Sequence, residues 1–183
     1  MRPHHIQNVL ISDEEIRKRI DALVDEMAST CQSERLVLVG ILRGSFMFLA
    51  DLVRKLYEHK VHPRIDFMTL SSRGAGVDST GTVVIRKDVT VDVTGADVLL
   101  VDDILDTGRT LDFARRHLLD KGAAEVRSCM LLDKPSRREI PITSEYIGFT
   151  VEDVFVVGYG LDYDSHYREL PYIAEVTFRD ESQ

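Results

Sequence analysis

VLLVDDILDTGRT, residues 98–110, decides how the rest of the chain is read. Four apolar residues run into two adjacent carboxylates, Asp102 and Asp103, and a third carboxylate, Asp106, opens a Thr-Gly-Arg-Thr turn. The apolar run suits a strand buried on both faces, as in a parallel sheet. Adjacent strand residues point to opposite faces, but a chain already turning at the strand end can bring both acids to one ligand. The turn that follows runs into a helix. Its successive backbone N–H groups form a nest for an anion, and the helix N-terminus adds partial positive charge. Thr107 and Thr110 bring hydroxyl donors, and Gly108 lets the backbone come close and take a positive φ. The plainer reading is a helix start capped by Asp106, with Asp102 and Asp103 solvated. An apolar strand, two acids and DTGRT in that order favour an anion site over it. A Walker-type loop is ruled out, because no G-x-x-x-x-G-K-[ST] pattern occurs.

Outward from this stretch, strands and helices alternate. RLVLVGIL (35–42) is a second buried strand, and FMFLADLVRKLYEH (46–59) places Phe46, Leu49, Val53 and Leu56 on one stripe with a period of about 3.6 residues. RIDFMTLS (64–71) reads as a strand, Ser72–Gly81 as a Gly/Ser/Thr-rich mobile loop, and about 82–86 as a further strand. After the strand ADVLLVDD (96–103), RTLDFARRHLLDKG (109–122) reads as a helix ending on Gly122, a favoured residue past a helix end. EVRSCMLLD (125–133) is one more strand, followed by the short strand-like pieces YIGF, VFVVGYGLDY and YIAEVTF. At the start, Ser12 and Glu15 have capping-box spacing ahead of a helix with Ile16, Ile20, Leu23, Val24 and Met27 inward. The repeated strand–helix–strand units predict an α/β fold with a mostly parallel central sheet flanked by helices. The first helix and the last strands stand outside the alternation and suit a small cap over one edge. Ligands of such sheets bind beyond the carboxyl ends of the strands. That directs attention to the residues after Leu42, Val101 and Leu132.

Composition narrows the classes. A chain of 183 residues suits one domain, at about 150 residues per domain. The formal net charge of −8 argues against a general binder of nucleic acid or anionic membrane, both of which need excess Lys and Arg. Cys31 and Cys129 form no ligand pattern and no disulfide framework, so a reducing, cytoplasmic setting is expected. No signal-like start and no apolar run near the ~20 residues of a membrane span occurs. His59 and His62 lack further ligands nearby, and His4-His5 is expected to fray.

VLLVDDILDTGRT resembles the phosphoribosyl-diphosphate (PRPP) motif of type I phosphoribosyltransferases: an apolar strand, two acids, two apolar residues, then a phosphate turn. The resemblance extends from about Ile6 to Val176, and its other segments are similar to those of hypoxanthine and hypoxanthine-guanine phosphoribosyltransferases. It implies one domain over 1–183, with a core of about 34–135 and a hood from about 1–12 and 136–183. It implies that Asp102 and Asp103 hold the ribose hydroxyls and that Asp106, Thr107, Gly108, Arg109 and Thr110 hold the 5′-phosphate. GILRGSFMFLADL is similar to the pyrophosphate loop, with Leu42, Arg43 and Gly44 at the diphosphate and a cis peptide between Leu42 and Arg43. Lys134 in LLDKPSRRE takes the place of a donor to the exocyclic oxygen of a 6-oxopurine. In VFVVGYGLDY, Phe155 corresponds to a ring stacked on the base, with Val156 and Ile104 beside it. Asp162, with Asp102 and Asp103, corresponds to a Mg²⁺ ligand. Arg168 corresponds to an arginine on pyrophosphate. Ser72 belongs to a loop that closes over the reacting atoms, and Arg73 stands where many relatives carry Tyr.

The implied activity is purine salvage. Phosphoribosyl passes from PRPP to N9 of hypoxanthine or guanine, with Asp106 as general base, Mg²⁺ as cofactor, no nucleic-acid or membrane partner, and a homodimer or tetramer. The competing reading is a PRPP-sensing regulator of the same fold that binds nucleic acid.

Overall fold

The computed structural model describes residues 4–28, 30–31, 33–71 and 83–178. The order is β1 (His4–Ile11), α1 (Asp13–Ala28), β2 (Leu36–Leu42), α2 (Phe46–Glu58), β3 (Arg64–Ser71), β4 (Val84–Lys87), β5 (Asp97–Leu105), α3 (Arg109–Asp120), β6 (Glu125–Asp133), β7 (Tyr146–Thr150), β8 (Val156–Val157) and β9 (Ile173–Phe178). Six strands form the main sheet in the order β4-β3-β2-β5-β6-β7, and all its pairs are parallel except β3 with β4. The α/β fold with a mostly parallel sheet and flanking helices is therefore present. β1, β9 and β8 make a second, antiparallel sheet. The cap expected from the last strands takes this form, but α1 packs against α2 and β7 rather than joining it.

Local chemistry explains the elements. The backbone N–H of Ser12 donates to Glu15 Oε2 at 2.8 Å and the Glu15 N–H donates back to Ser12 Oγ at 3.3 Å, closing the capping box at the head of α1. The inward stripe of α1 is the expected one: Ile16, Ile20, Leu23, Val24 and Met27 are all buried. On α2 the buried residues are Phe48, Leu49, Leu52 and Leu56, whereas Phe46 is 43% exposed. The stripe read from Phe46, Leu49, Val53 and Leu56 keeps Leu49 and Leu56, while Phe48 and Leu52 take the inward places of Phe46 and the half-buried Val53. Gly122, with φ of 93°, ends α3 as anticipated. One apolar cluster lies under α1 and α2 and another under α3, so the central strands are buried on both faces. Cys31 and Cys129 are buried and free.

Three expectations change. β5 runs to Leu105, two residues past the expected end at Asp103, so the two acids stand within the strand rather than at its last two positions. In VFVVGYGLDY only Val156–Val157 is strand; Gly158, Tyr159 and Gly160 all take positive φ, and the chain turns back. His4 does not fray: it pairs with Phe178, and its Nε2 lies 2.7 Å from the Tyr167 hydroxyl. The expected loop over 72–81, with Ser72 and Arg73, lies outside the described residues.

Candidate active site

The carboxyl ends of β2, β5 and β6 open into one cleft of about 750 Å³. Three groups of side chains face it: the loop Leu42–Gly44, the run from Asp102 to Thr110, and a base-side group of Lys134, Phe155, Val156 and Asp162. Residues far apart in sequence and singled out separately thus share one cavity.

The phosphate turn is held from outside. Gly108 is the N-cap of α3 with φ of 87°, and a Cβ there would sit 2.7 Å from Ile142 Cγ2, so both conformation and space demand glycine. The N-cap of α3 is Gly108 rather than Asp106, and the Arg109 N–H donates to Thr107 Oγ1 at 3.4 Å, which goes against the reading of Asp106 as a mere helix cap. The Thr107 carbonyl accepts the N–H groups of Glu139 and Ile140 at 3.0 and 3.1 Å, fastening the segment after β6 to the turn. Arg109 pairs with Glu139 at 2.6 Å, and Arg137 Nε donates to Asp106 Oδ1 at 3.1 Å. Arg137 also reaches Asp153 at 3.5 Å. Arg137, Glu139 and Asp153 line the cleft and were not singled out from sequence. The crowding of cations in KPSRRE just past a strand end was the available signal.

The acid pair sits between the turn and the loop after β2. Asp102 is 8% exposed, and its Oδ1 accepts the Asp103 N–H at 2.9 Å. Burial, reinforced by the Asp103 charge, pushes the Asp102 carboxyl well above its ordinary range, and burial raises Asp103 as well. Gly44 makes room for this: a Cβ at 44 would lie 1.5 Å from Asp103 Oδ2. The peptide between Leu42 and Arg43 is cis, as the resemblance implied. A buried and a half-buried carboxylate side by side are hard oxygen donors that a cation would relieve, which fits Mg²⁺, an ion that binds through one or two carboxylates plus substrate oxygens. Among the described residues no group of three or more His, Cys, Asp and Glu could hold a metal ion. Asp162 stands apart from the pair, in an ion pair with Arg168 at 2.6 Å.

On the base side, Lys134 is 7% exposed and its Nζ donates to the Val154 carbonyl, tying the end of β6 to the segment that carries Phe155. Phe155 is 38% exposed and makes T-shaped contacts with Tyr163 and Phe178, at ring-centre distances of 5.6 and 5.4 Å. Its open face is an apolar platform. Arg168 donates to the Gly160 carbonyl at 2.6 Å. A hydrophobic platform, a buried ammonium group, a pair of carboxylates and a backbone nest surround one cavity. That set suits a flat oxo-heterocycle on one side and a phosphorylated diol on the other.

The family model for a phosphoribosyl transferase domain matches residues 11–164. The chain is 46% identical to hypoxanthine phosphoribosyltransferase of Escherichia coli K12 over 97% of its own length and 99% of that protein. It is 42% identical to hypoxanthine-guanine phosphoribosyltransferase of Bacillus subtilis, over 94% of each chain. Among solved structures, a hypoxanthine-guanine phosphoribosyltransferase from Bacillus anthracis superposes with a TM-score of 0.86 at 38% identity, covering 96% of this chain and all of that one.

Proposed function

The chain belongs to the phosphoribosyltransferase family, and on that footing we propose that it transfers the 5-phosphoribosyl group of PRPP to N9 of hypoxanthine, and of guanine, releasing pyrophosphate. It is an enzyme of purine salvage. The observation that carries this reading is the meeting, in one cleft, of the Asp102–Thr110 acid-and-phosphate run with Lys134 and Phe155. The first half suits the sugar phosphate and the second a 6-oxopurine. The relatives named above are enzymes, which leaves the regulatory reading without support.

In the reaction, the bond from C1 of the ribose to the pyrophosphate oxygen breaks as N9 bonds to C1, and the proton from purine N7 moves to Asp106. The N–H groups and hydroxyls of Asp106–Thr110 hold the 5′-phosphate, and Asp102 and Asp103 grip the ribose diol. The backbone at Leu42–Gly44, with Arg43, Ser72 and Arg168, receives the diphosphate. Lys134 donates to O6, which selects against adenine, while Phe155 stacks on the ring beside Ile104 and Val156. Asp102 and Asp103, joined by Asp162, would hold Mg²⁺, which would supply charge neutralisation on the leaving group. For Asp162 that requires release from Arg168, which is itself drawn toward pyrophosphate.

The chain acts as a single domain in the cytoplasm, where its buried thiols Cys31 and Cys129 remain reduced. No described helix is long and apolar enough to cross a membrane. The exposed Phe46 and Tyr57 on α2 support a homodimer or tetramer, which light scattering would measure. Ultraviolet absorbance with PRPP, Mg²⁺ and each of hypoxanthine, guanine, xanthine and adenine tests the activity. Turnover of hypoxanthine, absence of turnover with adenine and loss on adding EDTA are expected. PRPP binding without turnover of any base would overturn the proposal.

A further inference from the structure

Tyr159 is a buried tyrosine in the middle of the base-side segment, 3% exposed, yet its backbone has φ of 50°. A side chain in the left-handed region is uncommon and persists only where surrounding contacts enforce it. Here the contacts come from three elements. The Tyr159 hydroxyl donates to Asp51 on α2. Its backbone N–H donates to the Leu170 carbonyl at 2.8 Å. The glycines on either side close the turn, with the N–H groups of Gly158 and Leu161 each donating to the other's carbonyl, at 3.1 and 3.0 Å. Burial and the Asp51 carboxylate together push the Tyr159 hydroxyl far above its ordinary pKa, so it remains a proton donor.

Asp51 is on the helix that starts directly after the pyrophosphate loop. The same turn meets that loop a second time, since a Cβ at Gly160 would lie 2.0 Å from the Gly44 carbonyl oxygen. Gly44 in turn is pressed against Asp103. The base-side segment therefore touches the diphosphate side at two points, one steric through Gly160 and one polar through Tyr159. The steric point prevents closer approach but does not prevent separation. The hydrogen bond does the second job, beside the packing of Tyr159 and Leu161 in the same apolar cluster as Leu49 and Leu52 of α2.

We propose that Tyr159 is a positioning residue: its hydroxyl on Asp51 fixes the segment Val156–Asp162 in register with α2 and the Leu42–Gly44 loop, so that purine and diphosphate meet at the correct separation. This rests on the enzymatic reading given above. PRPP takes most of its contacts from the phosphate turn and the pyrophosphate loop, and meets the Val156–Asp162 segment only through Asp162. Its binding therefore depends on the register far less than purine capture by the PRPP-bound enzyme does.

The test compares Tyr159→Phe, which removes one oxygen and keeps the ring, with Asp51→Asn, which keeps an acceptor, and with the double variant. For Tyr159→Phe, kcat/KM for hypoxanthine at saturating PRPP is expected to fall about tenfold, the equivalent of one hydrogen bond to a charged group. The calorimetric Kd for PRPP should stay within about twofold and the PRPP-binding stoichiometry at one per chain. Asp51→Asn should retain most of kcat/KM, and the double variant should fall no further than Tyr159→Phe. Equal losses in both parameters, or fewer PRPP sites per chain, would mean a merely structural tyrosine. Amide hydrogen exchange of the free proteins gives an answer independent of turnover. Tyr159→Phe should speed exchange both at 158–162 and in the first turn of α2, and an effect confined to 158–162 would overturn the proposal. Wild-type protein without turnover would refute the enzymatic reading, while the exchange experiment would still decide whether Tyr159 couples the two segments.

Discussion

The phosphate wall of the cleft is a single run of chain, Val98–Thr110, in which strand, acids, turn and helix start follow one another. The base wall is assembled from Lys134 after β6, Phe155 and Val156 around β8, and a turn braced by Arg168, Gly44 and Asp51. The first wall owes its shape chiefly to local geometry on a buried strand, with its turn fastened from outside by Arg137, Glu139 and Ile140. The second owes it to contacts between segments distant in sequence. Substitutions in the first should remove chemistry and leave the shape, whereas substitutions in the second should shift the shape and thereby weaken recognition.

The largest expected effect is on the phosphate wall. Asp106→Asn should lower turnover by about 10²–10⁴-fold, the usual worth of a general base, while PRPP affinity stays within several-fold. Near-wild-type turnover would remove the base from this wall and blur the contrast. Next comes Lys134→Ala. It should raise the hypoxanthine KM by about 10–100-fold, from the loss of a charge-assisted hydrogen bond, with a smaller change in the PRPP KM. The reverse ratio would place Lys134 in the other wall. A smaller effect is expected from Arg137→Gln, which loses the bridge between Asp106 and Asp153 at the cleft mouth. Arg137 and Asp153 are exposed and only Asp106 is half-buried, so steady-state parameters should move by only about twofold to fivefold. A change as large as that of Asp106→Asn would make Arg137 part of the chemistry.

The smallest effect on activity should come from a carboxylate outside both walls. Asp66, at the far end of β3, accepts hydrogen bonds from the backbone of Phe67, Thr90 and Val91 and from the Thr90 hydroxyl, with N···O distances down to 2.6 Å. Burial works against its charge, but the donors from Val91, Phe67 and Thr90 outweigh burial and hold the carboxyl below its ordinary range. A carboxyl lowered on folding stabilises the protein above its unfolded pKa of about 3.9 and loses that contribution as pH falls through the lower, folded value. Asp66→Asn should therefore cost about 1–3 kcal/mol in urea unfolding at pH 7 and flatten the acid side of the stability profile, with KM values unchanged. A shift in KM would show that the far end of the sheet speaks to the site.

The same contrast explains what could be read before the structure. The phosphate wall was legible because its chemistry is a short pattern on a buried strand, and the glycine at 108 is required by a positive φ that the pattern itself implies. The strands and helices of the main sheet were legible for the same reason: their apolar periods are local. Gly44 was legible only through family likeness, since nothing near it in sequence announces that Asp103 occupies the space of its missing Cβ. Tyr159 was not singled out within VFVVGYGLDY, a segment that read as strand-like throughout. Its left-handed backbone and its bond to Asp51 arise from a turn that two flanking glycines permit and distant segments enforce. Arg137 and Asp153 were not singled out, because only the folding of one loop beside another places them at the cleft mouth.

His4 and Phe178 are partners across the second sheet, with nearly the whole described chain between them. Closing so long a loop carries an entropic penalty that local pairs do not, so contacts of this kind form late on the way to the native state. Phe155 leans on Phe178, and the base wall therefore waits for that last closure. A refolding population should regain its grip on sugar phosphate before it can recognise a purine. Mild denaturant should take the two away in the opposite order.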